Sequence, residues 1–430
     1  MLITTQSQHW PPGQALDVGV LEADVAAGFL VNRTGDTDRA VAAELAGELG
    51  ELPLALEQAA AYMQATGTSL ARYLPLFRAR QADLLARGEA AGHREHTAAT
   101  LALALARMER DAPAAAGLLR LLAFLAPEPV PLNLLLDSQD AAQRLRAEMA
   151  DTAGPLLGDP VAAADAVAAL RRYSLAAPAG DGRVQVHRLV QAITRDRFTA
   201  EEAGRWRRAA AAVVEAAVPA DMELPETWTA FAVLLPHARA ALDLTSQGIW
   251  RFAQYLGYSG SYRAARDLFA LIADAHTDSE DYGPEHPETL HARASWPRWT
   301  GKAGHPAEAR DQYAALLPII ERILGPDHPD TLSTRASLAR WTGQAGDWAG
   351  ARDQCTALLP IQERILGPDH PDTLYTRHNL ASWTGWAGNA AGARDQYTAL
   401  LRPGNASSAP NTPTPSPPAT TSPTGQGLRA

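Results

Sequence analysis

Three segments of the chain are near copies of one another at a period of 42 residues, and this repetition constrains the fold more than any other feature. The copies begin at Gly283, Gly325 and Gly367, with GPEHPETL, GPDHPDTL and GPDHPDTL. A period of this length indicates a supersecondary unit that can bury its apolar surface only by stacking on its neighbours. We therefore predict an α-solenoid over residues 251–401.

Each copy carries the signals of two consecutive helices. Pro329 suits a first helical turn, where its missing N–H is not needed, and a Gly-x-x-Gly break at Gly343 and Gly346 is expected to end that helix. Asp347 is a good N-cap for a second helix, which should continue through Ile365. Because neither helix pair could bury its apolar face alone, the pairs must stack.

A degenerate copy precedes these three, since YLGYSGSYRAARDLFALI from Tyr255 matches the turn and the second helix. The predicted units are 251–282, 283–324, 325–366 and 367–401. The residues that follow, 402–430, are rich in Pro, Ser and Thr with almost no apolar content, so we expect them to be disordered. Because no polar capping helix is evident, the end of the array is predicted to fray or to pair with another chain.

The two-helix unit, with its NLA…G…G…A pattern, resembles the tetratricopeptide repeat. Its period and its GPDHPDTL junction resemble the kinesin-light-chain-like variety of that family, whose basic repeat is about 34 residues long. HEAT and armadillo arrays have similar periods. The Gly-x-x-Gly turn and the small residue at the close-contact position, Ala351, favour the tetratricopeptide interpretation.

A His-Pro-Asp tripeptide at His328 and His370 is also the signature of J-domain co-chaperones, and recurring histidines can indicate a metal site. Here each histidine opens a predicted helix at a junction, and His286 does the same in the first copy. None has a second ligand four residues away. We interpret them as junction residues and predict neither a co-chaperone role nor a metal site.

The first helices of stacked pairs line the inner surface of a solenoid. Positions i, i+3, i+7 and i+11 fall on one helix face, and they vary between copies that are otherwise nearly identical. These positions are His291, Ala294, Arg298 and Lys302; Ser333, Ala336, Arg340 and Gln344; and Tyr375, His378, Ser382 and Trp386. The face is cationic and aromatic, so we predict that it binds a protein or peptide segment with acidic groups. The predicted contacts are Arg298, Lys302, Arg340, Gln344, Tyr375, His378 and Trp386, and the alternative is a solvated face without a ligand.

Composition limits the remaining classes of function. The net charge of −10 argues against a nucleic-acid or acidic-membrane partner. Cys355 is the only cysteine, which excludes an intrachain disulfide and a Cys-rich zinc site and fits a cytoplasmic location. No apolar run reaches the length of about 18 residues that a membrane span needs. Abundant arginine and alanine with a single lysine is typical of a GC-rich bacterial genome.

The residues before the array are predicted to be mostly helical. LEADVAAGFL gives a helix with Leu21, Val25, Phe29 and Leu30 on one side. DTDRAVAAELAGELGELPLALEQAAAYM gives two helices separated by a tight turn at Gly50 and Pro53.

This order, LITTQSQHW followed by LAGELGELPLALEQAAAYM, resembles the distal half of the nucleotide-binding module of NB-ARC proteins, a family of signalling ATPases. GELPLAL is similar to the family's Gly-x-Pro motif, which implies that Pro53 would pack against adenine. LITT is similar to the sensor strand, after which the family has an arginine that reads the terminal phosphate. Gln6 stands at that place, and an amide lacks the charged bidentate fork.

The phosphate-binding loop of that module does not occur in the sequence. No G-x-x-x-x-G-K-[ST] is present, and the only lysine, Lys302, lies in a repeat. We therefore expect no catalysis and no bound cofactor, with ADP or ATP bound only if the upstream half is supplied. The family often has Val where Met1 stands, and a GTG codon encodes either residue, so we expect a truncated product or a misassigned start.

Residues 112–198 are predicted to form a helix, a Pro-rich turn, a second helix start, and then helix, strand, GDG turn, strand and helix, which is a winged-helix order. In NB-ARC proteins such a domain follows the helical one, and its VHRLVQ segment carries a histidine that touches the nucleotide β-phosphate. The resemblance places His187 there, although Arg188 follows it where plant members have Asp. The alternative for His187 is a structural hydrogen bond at a helix start. Winged helices also bind DNA, but the local arginines are sparse.

These observations predict a mostly α-helical chain. Its parts are a remnant strand of a nucleotide-binding domain (1–15), an ARC-like helical subdomain (16–110), a winged-helix-like domain (111–199), a helical bridge (200–250), the tetratricopeptide repeats (251–401) and a disordered tail (402–430). The predicted function is protein–protein interaction and ligand sensing in an NB-ARC-type regulator. The alternatives are a nucleotide-dependent switch, if a P-loop half is present, and a DNA-binding regulator.

Overall fold

The structure, a computed structural model, describes residues 20–86, 94–136, 156 and 159–401. The described residues up to Ala220, with Thr229–Leu242, form a first compact unit, and Asp221–Trp228 with the described residues from Asp243 onward form a second. The predicted sensor strand, Gln6 and the Pro-rich tail lie outside the described residues. No described helix combines the length and the apolar character that a membrane span requires.

The first unit is mainly helical. Its helices are α1 (Ala23–Thr34), α2 (Arg39–Glu48), α3 (Pro53–Thr66), α4 (Leu70–Ala86), α5 (Arg94–Asp111), α6 (Pro113–Leu122), α7 (Leu132–Leu136), α8 (Pro160–Arg172), α9 (Arg188–Asp196), α10 (Ala200–Ala217) and α11 (Trp228–Ala241), whose residues from Thr229 onward belong to this unit.

The predicted break between α2 and α3 is a left-handed turn. Gly50 and Glu51 have φ angles of 63° and 57°, and Pro53 then occupies the first turn of α3. Glycine adopts this region at little cost, whereas Glu51 has a Cβ and is strained there. Proline is compatible with the start of α3 because the N–H it lacks would have had no intrahelical partner.

The buried face of α1 includes Leu30 of the predicted set but not Val25. Ala26, Ala27 and Leu30 are buried, whereas Val25 is 53% exposed. Helix α1 packs on both α2 and α3. Alanine side chains allow close approach of two helix backbones, so the small residues rather than the valine define the contact face.

A small antiparallel sheet has the strand order β1–β3–β2, with β1 at Val130–Pro131, β2 at Ala177–Pro178 and β3 at Arg183–Gln185. Val184 of β3 is opposite Val130 on one side and Pro178 on the other. The predicted GDG turn joins β2 to β3, and all three of its residues have positive φ angles. The predicted order of helix, strand, turn, strand and helix is present from α8 to α9. Strand β1 was not predicted, because it lies in the segment for which the sequence indicates a Pro-rich turn.

The second unit is a series of helix pairs. After a 3₁₀ turn (Pro225–Thr227), the helices are α12 (Gln247–Tyr258), α13 (Tyr262–Asp278), α14 (Pro287–Lys302), α15 (Pro306–Leu324), α16 (Pro329–Gln344), α17 (Trp348–Ile365), α18 (Pro371–Trp386) and α19 (Ala390–Leu400). Each helix packs on the next along the chain. We call α12, α14, α16 and α18 the first helices, and the others the second helices.

The junction histidines cap the first helices of the three full pairs. The Nδ1 atom of His286, His328 or His370 accepts a hydrogen bond from the backbone N–H two residues later, at 3.2 Å in each case. This bond satisfies one of the N–H groups that the first turn of a helix leaves free. The same sequence therefore recurs because it starts the same helix three times.

Tryptophan rings stack on glycines of the preceding pair. A Cβ atom built on Gly257, Gly301 or Gly343 would lie 2.2, 2.4 or 2.6 Å from the ring of Trp299, Trp341 or Trp383, respectively. Each of the three indoles is at most 5% exposed. A buried tryptophan removes about 150–250 Å² of surface from water, which contributes about 4–6 kcal/mol at about 25 cal/mol per Å². These three contacts are therefore major links between successive pairs.

Gly343 does not break the helix, contrary to the prediction. Helix α16 continues through it to Gln344, and Gly346, with a φ angle of 102°, follows the helix end. A glycine is needed at position 343 because the Trp383 ring occupies the space of a side chain. Only the second glycine of the Gly-x-x-Gly pattern has the positive φ angle typical of a chain reversal.

We expect Gly343→Ala to destabilise the array, by about 1–3 kcal/mol as for other overpacked sites. Alanine otherwise favours a helix by about 0.5–1 kcal/mol over glycine, so the sign of the change reports the contact with Trp383. Gly385→Ala is the matched control, since a Cβ there would meet only the Ala393 Cβ, at 3.3 Å. Urea unfolding followed by circular dichroism measures both, and equal midpoints for the two variants would contradict the prediction.

Cys355 should be protected from thiol reagents in the folded chain. Its side chain is 1% exposed, and burial raises the pKa of the thiol to about 12. The thiolate is the reactive form, so we expect little labelling by a thiol reagent in native buffer at about pH 8 and rapid labelling in concentrated urea. Labelling of the native chain at the rate of the unfolded chain would show that the array opens readily.

Candidate functional site

The first helices α14, α16 and α18 contact one another in order and bring the predicted positions onto one surface, which we call the first-helix face. Arg298 is exposed and Trp386 is 38% exposed. Five other predicted contacts are partly buried: Lys302, Arg340, Gln344, Tyr375 and His378. The predicted contacts are therefore exposed or partly exposed on three helices that contact one another.

Two positions of the same spacing are buried instead. Ala336 packs with Leu332 and Leu358 of its own pair. Ser382 is 9% exposed, and its hydroxyl lies 2.5 Å from the Tyr397 hydroxyl. The helical spacing alone cannot separate the exposed edge of a face from the edge that packs on a second helix.

A cavity of about 200 Å³ lies between α14 and α16, and we call this space the first groove. Its lining includes His291, Ala294, Arg298, Asp330, Ser333, Thr334, Ser337, Tyr313 and Ile320. Three of the four predicted face positions of α14 are among them, and Tyr313 and Ile320 of α15 are almost fully buried beneath. The Tyr313 hydroxyl donates to the Ala294 carbonyl at 2.9 Å.

Three cations of the first-helix face lie over aromatic rings. The Arg298 guanidinium is 5.0 Å from the centre of the Trp299 ring, and the Arg340 guanidinium is 4.9 Å from that of Trp341. The Lys302 ammonium is 5.8 Å from the centre of the Tyr262 ring. A cation over an aromatic face is held by the ring quadrupole, so these three positive charges are oriented without an acidic side chain.

The same three cations are close enough to act on one another. Burial lowers the pKa of Lys302, and the charges of Arg340 and Arg298 lower it further. Within the part of the chain that the structure describes, none of the three takes part in an ion pair. Other arginines of the array do: Arg310 with Asp311, Arg335 with Glu321, Arg352 with Asp353 and Arg377 with Glu363. The first-helix face thus concentrates positive charge in an acidic chain.

The α18 end of the face is aromatic rather than cationic. Trp386 packs against Trp348, with ring centres 5.7 Å apart, and His378 meets the Tyr397 ring edge-on at 5.5 Å. Burial lowers the pKa of His378, which favours its neutral form. This end offers apolar and neutral polar surface to a ligand.

The sequence interpretation missed the aromatic residues supplied by neighbouring helices. The centre of the Tyr258 ring lies 6.0 Å from the Arg298 guanidinium. The Tyr262 ring lies beneath the Lys302 ammonium, and Tyr313 lines the first groove. An alignment of the second helices of the three copies would have provided a signal for Tyr313. Positions 313, 355 and 397 hold Tyr, Cys and Tyr, whereas most of that helix is the same in each copy.

The structure describes two of the three residues that were predicted to contact a nucleotide. Pro53 is exposed at the start of α3, and His187 caps α9, where its Nδ1 accepts from the Leu189 N–H at 3.2 Å. Burial, and then the charge of Arg188, lowers the pKa of His187. Among the described residues no hydrogen bond or ring contact joins Pro53 to His187, and Gln6 lies outside them.

Helix α8, which would read DNA in a winged-helix domain, has an unsuitable exposed surface. Val161 is 69% exposed, and Ala164, Asp165 and Ala168 are also exposed. DNA-reading helices present donors and positive charge to bases and phosphates. A face of alanines with an aspartate lacks both, although Arg171 and Arg172 follow at the helix end.

Comparison with known families matches two parts of the chain. Residues 298–330 and 331–372 match the family described as tetratricopeptide repeat, and residues 106–203 match a domain of unknown function, DUF7779. No curated protein sequence gives a match. The prediction of a mostly helical chain with a tetratricopeptide-like solenoid in its C-terminal region is thereby confirmed.

Several solved structures are similar to the chain. A Podosopora anserina kinesin light chain with nearly identical TPR-like repeats is 20% identical, with a TM-score of 0.33, covering 46% of this chain and 89% of that one. BtubC (BKLC) from P. vanneervenii is 13% identical, with a TM-score of 0.34, covering 66% and 96%. A STAND protein, or Signal Transduction ATPase with Numerous Domains, from Pyrococcus horikoshii has a tetratricopeptide repeat sensor. It is 12% identical, with a TM-score of 0.27, covering 88% and 59%.

Proposed function

We propose that the chain is a protein–protein interaction module whose first-helix face binds an acidic segment of a partner protein. The observation that carries this proposal is the group of Arg298, Lys302 and Arg340, which lie over aromatic rings and form no ion pair among the described residues. Tetratricopeptide repeats generally bind protein partners and are typically not catalytic, and the family match over 298–372 supports this class.

The electrostatics of the group favour an anionic ligand. Three positive charges that oppose one another raise the free energy of the unliganded face. Burial lowers the pKa of Lys302 most, and the charges of Arg340 and Arg298 lower it further. A carboxylate brought between them would relieve that repulsion and form charge-assisted hydrogen bonds with the guanidinium groups. The net charge of −10 also limits nonspecific binding of acidic molecules elsewhere on the chain.

We propose further that this module senses a ligand within a regulator of the NB-ARC type. The proposal relies on the motif resemblance at Pro53 and His187 and on the order of helices and strands from α6 to α9. In such a regulator, binding at the repeats would bias a conformational equilibrium in proportion to its difference in affinity for the two states. A cytoplasmic location, which the single cysteine suits, and self-association of the chain belong to the same proposal.

Substituting the two arginines should weaken binding of acidic peptides. A fluorescein-labelled library of extended peptides, each with one to three Asp or Glu residues, provides the ligands for fluorescence polarisation with the full chain. We expect Arg298→Ala and Arg340→Ala each to reduce affinity about tenfold, which corresponds to about 1.4 kcal/mol. Binding should also weaken as salt is raised, because the charges are partly exposed.

Arg352→Ala is the matched control, since Arg352 lies on a second helix and is paired with Asp353 at 2.7 Å. It should leave peptide affinity unchanged. Unaltered affinity in the Arg298→Ala and Arg340→Ala variants, or an equal loss in Arg352→Ala, would refute the proposed site.

The capping role of His187 predicts a pH-dependent stability. Its Nδ1 accepts a hydrogen bond only when neutral, and its folded pKa is below the unfolded value of about 6.5. The unfolded chain therefore takes up the proton first, so this contribution is present above about pH 6.5 and is lost as the pH falls below it. His187→Asn should keep the cap without the pH dependence, whereas His187→Ala should lose about 0.5–1 kcal/mol near neutral pH.

Unfolding midpoints at about pH 7.5 and about pH 5.5 distinguish the three proteins, since the cap depends on protonation only in the histidine form.

Titration with a labelled ADP analogue tests the nucleotide-switch alternative on the same variants. Micromolar binding that His187→Ala weakens and His187→Asn does not restore would assign His187 to the nucleotide rather than to the cap alone.

A further inference from the structure

The space between α16 and α18, which we call the second groove, has a different interior from the first. Gln362 of α17 is 0% exposed, and neither its side-chain nitrogen nor its side-chain oxygen has a hydrogen-bond partner among the described residues. A buried amide that makes no hydrogen bond is rare in folded proteins and requires an explanation.

The repeat places Gln362 in the second groove. Gln362 follows Ile320 by one period, and Ile320 lines the first groove together with Thr334 and Ser337. One period after Thr334 and Ser337 stand Thr376 and Asn379 of α18. The repeat therefore places Gln362, Thr376 and Asn379 at the second groove, where the first has an isoleucine and two small hydroxyl residues.

The other two polar residues also have unused groups. The Thr376 hydroxyl and the Asn379 side-chain nitrogen are buried without a partner among the described residues. In contrast, the Thr334 hydroxyl of the first groove donates to the Asp330 carbonyl at 2.8 Å. The second groove thus contains unused hydrogen-bonding groups that the equivalent positions of the first groove do not.

One further substitution between copies replaces a ring of the first groove by a smaller side chain in the second. Tyr313 lines the first groove, and the residue one period later is Cys355. Cysteine is much smaller than tyrosine and has no phenol that could reach Asn379. By the period, the second groove is therefore the one that lacks the tyrosine ring and also the one that contains the unused polar groups.

The chemistry of these groups selects a ligand. Gln362 offers both a donor and an acceptor, Asn379 a donor, and Thr376 a hydroxyl that can act as either. None of the three is charged, and Arg340 and Asp372, which the period also places at this groove, carry opposite charges, so a neutral ligand group suits it better than a carboxylate or an ammonium. A carboxamide has one carbonyl and one NH₂ group and matches both halves of Gln362.

We propose that the second groove is a specificity pocket for a carboxamide side chain, asparagine or glutamine, of the same acidic segment that the cations bind. This rests on the proposed function of the first-helix face. Packed helices lie about 8–10 Å apart, and an extended peptide rises about 3.3 Å per residue. The carboxamide is therefore about three residues from the acidic residue held by Arg298, Lys302 and Arg340.

The test uses the full chain and labelled extended peptides that hold an acidic residue and, three positions before or after it, Asn, Leu or Asp. We expect the Asn peptide of one of the two orders to bind about tenfold more tightly than its Leu and Asp counterparts. Gln362→Ile, which installs the residue of the first groove, should abolish that preference and raise the melting temperature, since it removes two unsatisfied polar atoms from the interior. Asn379→Ser is the second variant and should reduce the preference.

Ile320→Gln is the matched control, because it makes the same exchange in the first groove and should preserve the ratio of Asn to Leu affinities. Equal affinities for Asn and Leu peptides, or a preference that survives Gln362→Ile, would overturn the carboxamide pocket while the acidic-segment proposal stands. A lower melting temperature of Gln362→Ile would also overturn it, since Gln362 would then be stabilising. Failure of every acidic peptide to bind would overturn both proposals.

Discussion

The stacking of a tryptophan on a glycine of the preceding helix pair holds the second unit together. Gly257, Gly301 and Gly343 have no side chain, so the rings of Trp299, Trp341 and Trp383 lie against the helix backbone itself. Large apolar rings then leave water at each step, and neighbouring first helices are brought into contact. Because each pair depends on the next for this burial, the stability of the array belongs to the interfaces rather than to single pairs.

The same stacking connects the architecture to the proposed ligand-binding surface. Arg298 and Arg340 are each one residue before a stacked tryptophan, and their guanidinium groups lie 5.0 and 4.9 Å from the ring centres. The contacts that join α12 to α14 and α14 to α16 therefore also position two of the three cations. In α18 the residue before the stacked tryptophan is Ser382, so the positive charge ends there. The face then becomes aromatic, and the groove beside it contains the unused amide of Gln362.

Much of the second unit could be predicted from local signals. Pro329 and Asp347 begin helices where proposed, and the structure gives the junction histidines a local capping bond. Such features depend on hydrogen bonds within a few residues, which the sequence displays directly. Gly343 was misinterpreted as a helix breaker, because a glycine that receives a distant ring has the same local appearance as one that reverses the chain. Similarly, Ala336 and Ser382 share a helical spacing with exposed residues, and only packing on the second helices shows that they are buried.

The sequence by itself determined the period, the starts of the helices and the variable positions of the first-helix face, since each depends on residue type and spacing along one segment. It also determined that Lys302 is the only lysine and that the chain is acidic. The tertiary structure alone decided which ring rests on which glycine, that Tyr258 and Tyr262 lie beneath the cations, and that Gln362 has no partner. These facts depend on atoms from helices far apart in the chain, and their distances are set by packing between pairs rather than by any local preference.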